Sequence, residues 1–168
     1  MGMVDIFLQP GGHFVGEAHY RIRTLLGSCV AITLWHPARR IGAMSHFLLS
    51  SRAPAHTAGL DGRYGDEALL LMLRELALCD IRPDQCQAKL FGGANMFPHQ
   101  MRDDSVHVGR KNGEAARLLL GAHGIPVVAE HLFGVGHRQV DFDVAKGDVW
   151  VRQVKPVEAP WPHRGELA

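Results

Sequence analysis

Apolar and polar positions alternate most cleanly near the C-terminus. There Val140, Phe142 and Val144 interleave with Asp141 and Asp143, ahead of a Lys146-Gly147 turn and the residues Val149, Trp150 and Val151. A period of two around a tight turn predicts a β-hairpin with one face against a core. A second hairpin is predicted upstream. Residues 18–25 read as a strand. After Leu26-Gly27-Ser28, the run 29–35 carries the β-branched Val30, Ile32 and Thr33. His36-Pro37-Ala38-Arg39-Arg40 reads as a turn and 41–49 as the returning strand, while the polar stretch 50–65 is expected to be a loop long enough to be functional. From Asp66 and Glu67 through Leu78, apolar residues occupy nearly every side. That predicts a mostly buried helix opened by acidic residues at its positive end. Residues 87–91 and 125–132 are further strand candidates. Between them lie the loop Gly92-Gly93-Ala94-Asn95-Met96-Phe97 and a second helix, which Asn112 is expected to cap and Gly124 to end.

Strands outnumber helices, and the helical segments fall between strand pairs joined as hairpins. The expected class is α/β: a single-domain layered sandwich with a mixed, largely antiparallel sheet packed against helices. The domain is expected over 1–154, with 155–168 a tail containing Pro156, Pro160 and Pro162. At 168 residues the chain is long enough for one core that hides about 70% of its unfolded surface. Its 18 Lys and Arg nearly balance 17 Asp and Glu, a net charge of +1, which argues against electrostatic capture of nucleic acid or anionic lipid. No apolar run is long enough to span a bilayer, and residues 1–10 lack the basic-then-apolar pattern of a secretory signal. A soluble, cytoplasmic protein without membrane insertion is expected.

The chemistry begins with three cysteines, Cys29, Cys79 and Cys86, an odd count without paired spacing that fits reduced thiols. A free cysteine is by default a small hydrophobe. Cys29 differs by its setting. If it opens a strand, Val30, Ile32 and Leu34 make the strongly apolar face, and the thiol lies with Ala31, Thr33 and Trp35 on the other. Gly27 and Ser28 before it form a tight turn whose N–H groups can converge near the sulfur, as an oxyanion hole requires. His46 lies 17 residues downstream. With Ala38 and Arg39 as a two-residue turn, Cys29 sits opposite Leu48 and His46 lies one diagonal step away on the same face; a three-residue turn would put thiol and imidazole on opposite faces. An imidazole nearby raises the reactive fraction of a thiol and can return the proton to a leaving amine. His46 could equally be a sheet histidine satisfied by backbone. Thr24 could orient that imidazole or serve as a β-branched strand residue.

These residues carry a resemblance. Thr24-Leu25-Leu26-Gly27-Ser28-Cys29-Val30, followed by Ile41-Gly42-Ala43-Met44-Ser45-His46, resembles the chemoreceptor glutamine deamidase family CheD. Lys89-Leu90-Phe91-Gly92-Gly93-Ala94-Asn95-Met96-Phe97, then Val108-Gly109-Arg110-Lys111-Asn112, and 136–152 resemble later blocks of the same family, so the likeness runs over 11–154. It implies the family's α/β fold and the conversion of particular receptor glutamines to glutamates through a Cys thioester. It also implies Cys29 as nucleophile and His46 as base, with Gly27 and Ser28 at the oxyanion. Thr24 corresponds to the family's third site residue, with one residue fewer before the cysteine than in some members. No cofactor or metal is implied. The partners implied are the cytoplasmic region of methyl-accepting receptors and a CheC-type phosphatase. The phosphatase keeps open a non-catalytic adaptor role, with the 92–97 loop and Phe97 as contact elements. A zinc site is disfavoured by spacing, since Cys79-x6-Cys86 and His131-x5-His137 are nonspecific and neither CxxC nor HExxH occurs.

Overall fold

A computed structural model describes residues 2–52, 59–97 and 103–154, with no side chain described for 103–107. The chain opens with β1 (Val4–Leu8), β2 (His13–Gly16) and β3 (Tyr20–Leu26), and continues through β4 (Val30–His36) and β5 (Ile41–Phe47) to α1 (Gly65–Leu78). After a short 3-10 turn come β6 (Gln87–Gly92), α2 (Asp103–Ala122), β7 (Val127–Leu132), β8 (His137–Asp143) and β9 (Asp148–Val154). The strands divide into a four-stranded sheet, β1-β3-β8-β9, and a five-stranded sheet, β2-β5-β4-β6-β7. All pairings are antiparallel except β1 with β3 and β6 with β7. The class is the α/β sandwich expected, with its strands shared between two sheets.

The central strand β4 explains the layering. Residues 30–34 are all buried, so both faces of the strand are covered. Val30, Ile32 and Leu34 pack with Phe47, Leu69, Met72, Leu90 and Leu120 in a core beneath the two helices. Ala31 on the opposite face packs with Met44, Phe91, Ile22, Leu26, Val140 and Phe142, the core between the sheets. The order is therefore helices, five-stranded sheet, four-stranded sheet. The outer face of the four-stranded sheet mixes ion pairs, Arg21 bonded to Asp5 and Arg23 bonded to Asp141, with the exposed apolar side chains Phe7, Leu25 and Trp150.

Several expectations shift. The short strands β1 and β2 are not among the expected elements, the first expected strand being 18–25. The second helix begins at Asp103, nine residues before the expected cap, and Asn112 lies inside it with its side chain buried. The β4–β5 hairpin keeps the register expected of a two-residue turn, with Val30 opposite Phe47 and Ala31 opposite His46. It does so through a four-residue connection: the Arg40 N–H donates to the His36 carbonyl (2.9 Å), and Arg40 takes a left-handed φ of 52°. Strand parity depends only on the register, so the side-chain faces are unchanged. In α1, Asp66 and Glu67 stand in the first turn as expected. Glu67 is in addition buried and paired with Arg52 (2.7 Å), which ties the 50–65 connection to the helix. The proposed tail 155–168 lies outside the described residues.

Candidate active site

Cys29, His46 and Thr24 come together at one end of the layer between the sheets. Thr24 projects from β3 of one sheet with the inward parity of Ile22 and Leu26. His46 projects from β5 of the other with the parity of Met44. Cys29 ends the connection 27–29 that carries the chain from the first sheet to the second, and its side chain packs on the same core. The fold thus spans the layer with a hydroxyl–imidazole contact: Thr24 Oγ1 lies 2.7 Å from His46 Nδ1.

That contact fixes a tautomer. Thr24 Oγ1 also lies 3.0 Å from the Leu8 carbonyl oxygen, which can only accept, so the single hydroxyl proton goes to Leu8. The hydroxyl then accepts from His46 Nδ1–H, and the lone pair is left on Nε2. Nε2 is buried and has no hydrogen-bond partner. An unpartnered buried acceptor is costly in an ordinary core histidine but is what a base awaiting a proton needs. The backbone of His46 is held as firmly, since its N–H donates to Gly12 (3.0 Å) and its carbonyl accepts from Gly11 (2.8 Å) in the β1–β2 turn.

Burial sets the protonation states. His46 is 2% exposed, and loss of hydration for the imidazolium lowers its pKa from 6.5 to about 4. The same effect raises the half-buried Cys29 thiol above its ordinary value. At neutral pH the resting pair is therefore neutral thiol and neutral imidazole. Among the described residues no hydrogen bond joins them. They stand at neighbouring register positions on one face, because Ala31 is opposite His46 and Cys29 is two residues before Ala31.

Around the thiol, successive peptides are held by their carbonyls. Gly27 C=O accepts from Ala94 N–H (3.1 Å), Ser28 C=O from Asn112 Nδ2 (3.2 Å), and Cys29 C=O from Gly93 N–H (2.9 Å). Among the described residues no bond is made by the Ser28 or Cys29 N–H, which leaves the two donors available beside the sulfur. Gly27 lies against the Met96 side chain, and a Cβ there would come 3.2 Å from Met96 Cγ. Gly92 is irreplaceable by geometry: its φ is 106° and a Cβ would sit 2.2 Å from the Cys29 carbonyl oxygen. The glycine pair thus serves close backbone approach, Gly92 to Cys29 and Gly93 to Gly109, in line with the sequence expectation. Beneath Gly92 lies Arg138, 1% exposed, donating to the Gly92 carbonyl (3.1 Å), to the Phe133 carbonyl and to His131 Nδ1 (2.8 Å).

Two of these supports escaped the sequence reading. Asn112, expected as a helix cap, instead lies inside α2, and its charged and glycine neighbours Arg110, Lys111, Gly113 and Glu114 give no local sign that it is buried. Arg138 gave no signal, because its alternation with Val140 and Phe142 marks the face but not that a guanidinium fits there. Cys86 is buried beneath the helices with its pKa pushed up to about 11, and Cys79 is half-buried. Among the described residues no three His, Cys, Asp or Glu side chains converge as metal ligands, and no helix is long and apolar enough to cross a membrane.

The arrangement, a thiol, an imidazole with a fixed tautomer and two N–H groups without a partner among the described residues, is suited to thiol chemistry on an acyl group. The family described as CheD chemotactic sensory transduction matches residues 48–153. The "Probable chemoreceptor glutamine deamidase CheD 2" of Albidiferax ferrireducens is 59% identical over 167 residues, covering 98% of this chain and 95% of that protein. The "Probable chemoreceptor glutamine deamidase CheD 3" of Dechloromonas aromatica is 48% identical, covering 88% and 86%. Among solved structures, the Bacillus licheniformis hypothetical protein YfiH aligns with a TM-score of 0.42 at 16% identity, over 71% of this chain and 48% of that one. The chain belongs to the CheD family.

Proposed function

We propose that this chain is a chemoreceptor glutamine deamidase, with Cys29 as nucleophile, His46 as general base and Thr24 as the group that holds His46 in its working tautomer. The supporting observation is the hydroxyl–imidazole contact across the sheets, which leaves Nε2 as an unpartnered base on the face that Cys29 shares.

Because the resting pair is neutral, proton transfer accompanies attack. The Cys29 S–H proton passes to His46 Nε2 as sulfur bonds to the glutamine Cδ, and the carbonyl electrons move to oxygen. The Ser28 and Cys29 N–H groups stabilise that oxyanion, Gly27 giving the turn its room. The imidazolium donates its proton to the departing nitrogen, the C–N bond breaks and ammonia leaves a thioester. Water then attacks, giving a proton to His46; sulfur departs and recovers its proton, and the product is glutamate. The released ammonia takes up the proton of the new carboxyl group, and the net reaction is glutamine plus water to glutamate plus ammonium. The substrate lies on the cytoplasmic region of methyl-accepting receptors, so the site of action is cytoplasmic. A CheC-type phosphatase would engage the surface around the 92–97 loop, where Phe97 is 53% exposed.

The test incubates wild type and Cys29→Ala with cytoplasmic receptor fragments and follows glutamine-to-glutamate conversion by mass spectrometry. Conversion by the wild type alone is expected. Conversion by Cys29→Ala would refute the mechanism, and a wild type that converts nothing while binding a phosphatase would favour an adaptor.

A further inference from the structure

Resting on the deamidase reading, we infer that Asn112 is a positioning residue of the site: it holds the Ser28–Cys29 peptide so that the Cys29 N–H faces the oxygen of the substrate carboxamide. Asn112 sits within α2, 1% exposed, and its amide is engaged on three sides. Nδ2 donates to the Leu48 carbonyl (2.8 Å) and the Ser28 carbonyl (3.2 Å), and Oδ1 accepts from Ser50 Oγ (3.2 Å). Asparagine is a poor residue for a helix interior, so its presence there calls for a tertiary reason.

The reason lies in the ends of β4 and β5. Continuing the register one step beyond Val30 and Phe47 brings Cys29 opposite Leu48. The ladder does not continue, because the Leu48 N–H turns away to Arg63 (2.9 Å). Asn112 fills the gap, tying the nucleophile's connection to the strand that carries His46. It also sets a direction. In a trans peptide the carbonyl and N–H point opposite ways, so fixing the Ser28 carbonyl toward α2 fixes the Cys29 N–H away from it. The flanking peptides are clamped by the backbone N–H groups of Ala94 and Gly93. The middle clamp alone comes from a side chain, and a substitution can remove it.

The experiment separates carbonyl activation from thiol reactivity. Iodoacetamide alkylation occurs at a saturated carbon and builds no oxyanion, whereas deamidation does. For Asn112→Ala and Asn112→Asp, with wild type and Cys29→Ala alongside, we expect the kcat for receptor-glutamine conversion to fall about 100-fold, the range for losing an oxyanion donor. KM and the rate of Cys29 alkylation should stay within about threefold. Ser50→Ala, which loosens Asn112 without emptying its site, should lower kcat by about three- to tenfold with alkylation unchanged. If the Asn112 variants do not fold, Ser50→Ala decides: a selective loss of kcat supports the role and an unchanged kcat overturns it. A folded Asn112→Ala with wild-type kcat, or with alkylation reduced in step with kcat, overturns it as well. A wild type that converts no glutamine overturns the deamidase reading and this inference together.

Discussion

Acidification tests the environment of His46 directly. In the unfolded chain the imidazole takes up its proton near pH 6.5; in the folded chain burial delays this to about pH 4. Between those values the unfolded state binds more protons, so stability must fall as pH falls. The contribution is complete above pH 6.5 and is lost progressively on the way down to about 4. A pKa difference of about 2.5, at about 1.4 kcal/mol each, gives about 3 kcal/mol, a substantial share of the 5–15 kcal/mol typical of a domain. Urea unfolding of wild type and His46→Gln at a series of pH values across that window measures it. Other titrating groups cancel in the comparison, so the wild type should lose about 3 kcal/mol more than His46→Gln on acidification. Parallel pH profiles for the two proteins would refute a buried neutral His46. The same protonation state extends activity downward: kcat/KM should hold well below pH 6.5 and fail only as Nε2 is occupied near pH 4.

Thr24→Val keeps the side-chain shape but strands His46 Nδ1–H and the Leu8 carbonyl. It should cost about 2 kcal/mol in thermal unfolding and at least about tenfold in kcat, while Thr24→Ser stays within about threefold; equal kcat for Thr24→Val would remove Thr24 from the site. Gly92→Ala should be among the most damaging small substitutions, at about 3 kcal/mol or more, because it combines a positive φ with a Cβ against the Cys29 carbonyl oxygen; an unchanged melting temperature would contradict the backbone drawn there. Iodoacetamide alkylation of Cys29 should rise with pH to a half-maximum above the value of about 8.5 of an ordinary thiol; an inflection near neutrality would indicate a resting thiolate–imidazolium pair instead.

Periodicity and turn residues alone carried the α/β class, the β4–β5 and β8–β9 hairpins and the first helix. The information is local: an alternation of two or a buried helical run requires no distant partner to be read. The face shared by Cys29 and His46 was one of two that the turn allowed, and the register of the folded hairpin selects it. The N-terminal strands were not legible. β1 and β2 are short, and each is stabilised by a strand far along the chain, Tyr20–Leu26 for β1 and Ile41–Phe47 for β2.

The site divides the same way. Cys29 and His46 flank one hairpin, so their spacing along the chain bears directly on their relative placement. What the tertiary structure alone decided is how each is held. Thr24 meets His46 because the two sheets stack, and Leu8 decides where the hydroxyl proton goes. Asn112 and Arg138 clamp carbonyls on segments 84 and 46 residues away. The residue types that can do the chemistry are chosen by the sequence. The tautomer, the depressed imidazole pKa and the direction of an N–H are properties of packing, and they exist only once distant segments are brought together and water is removed.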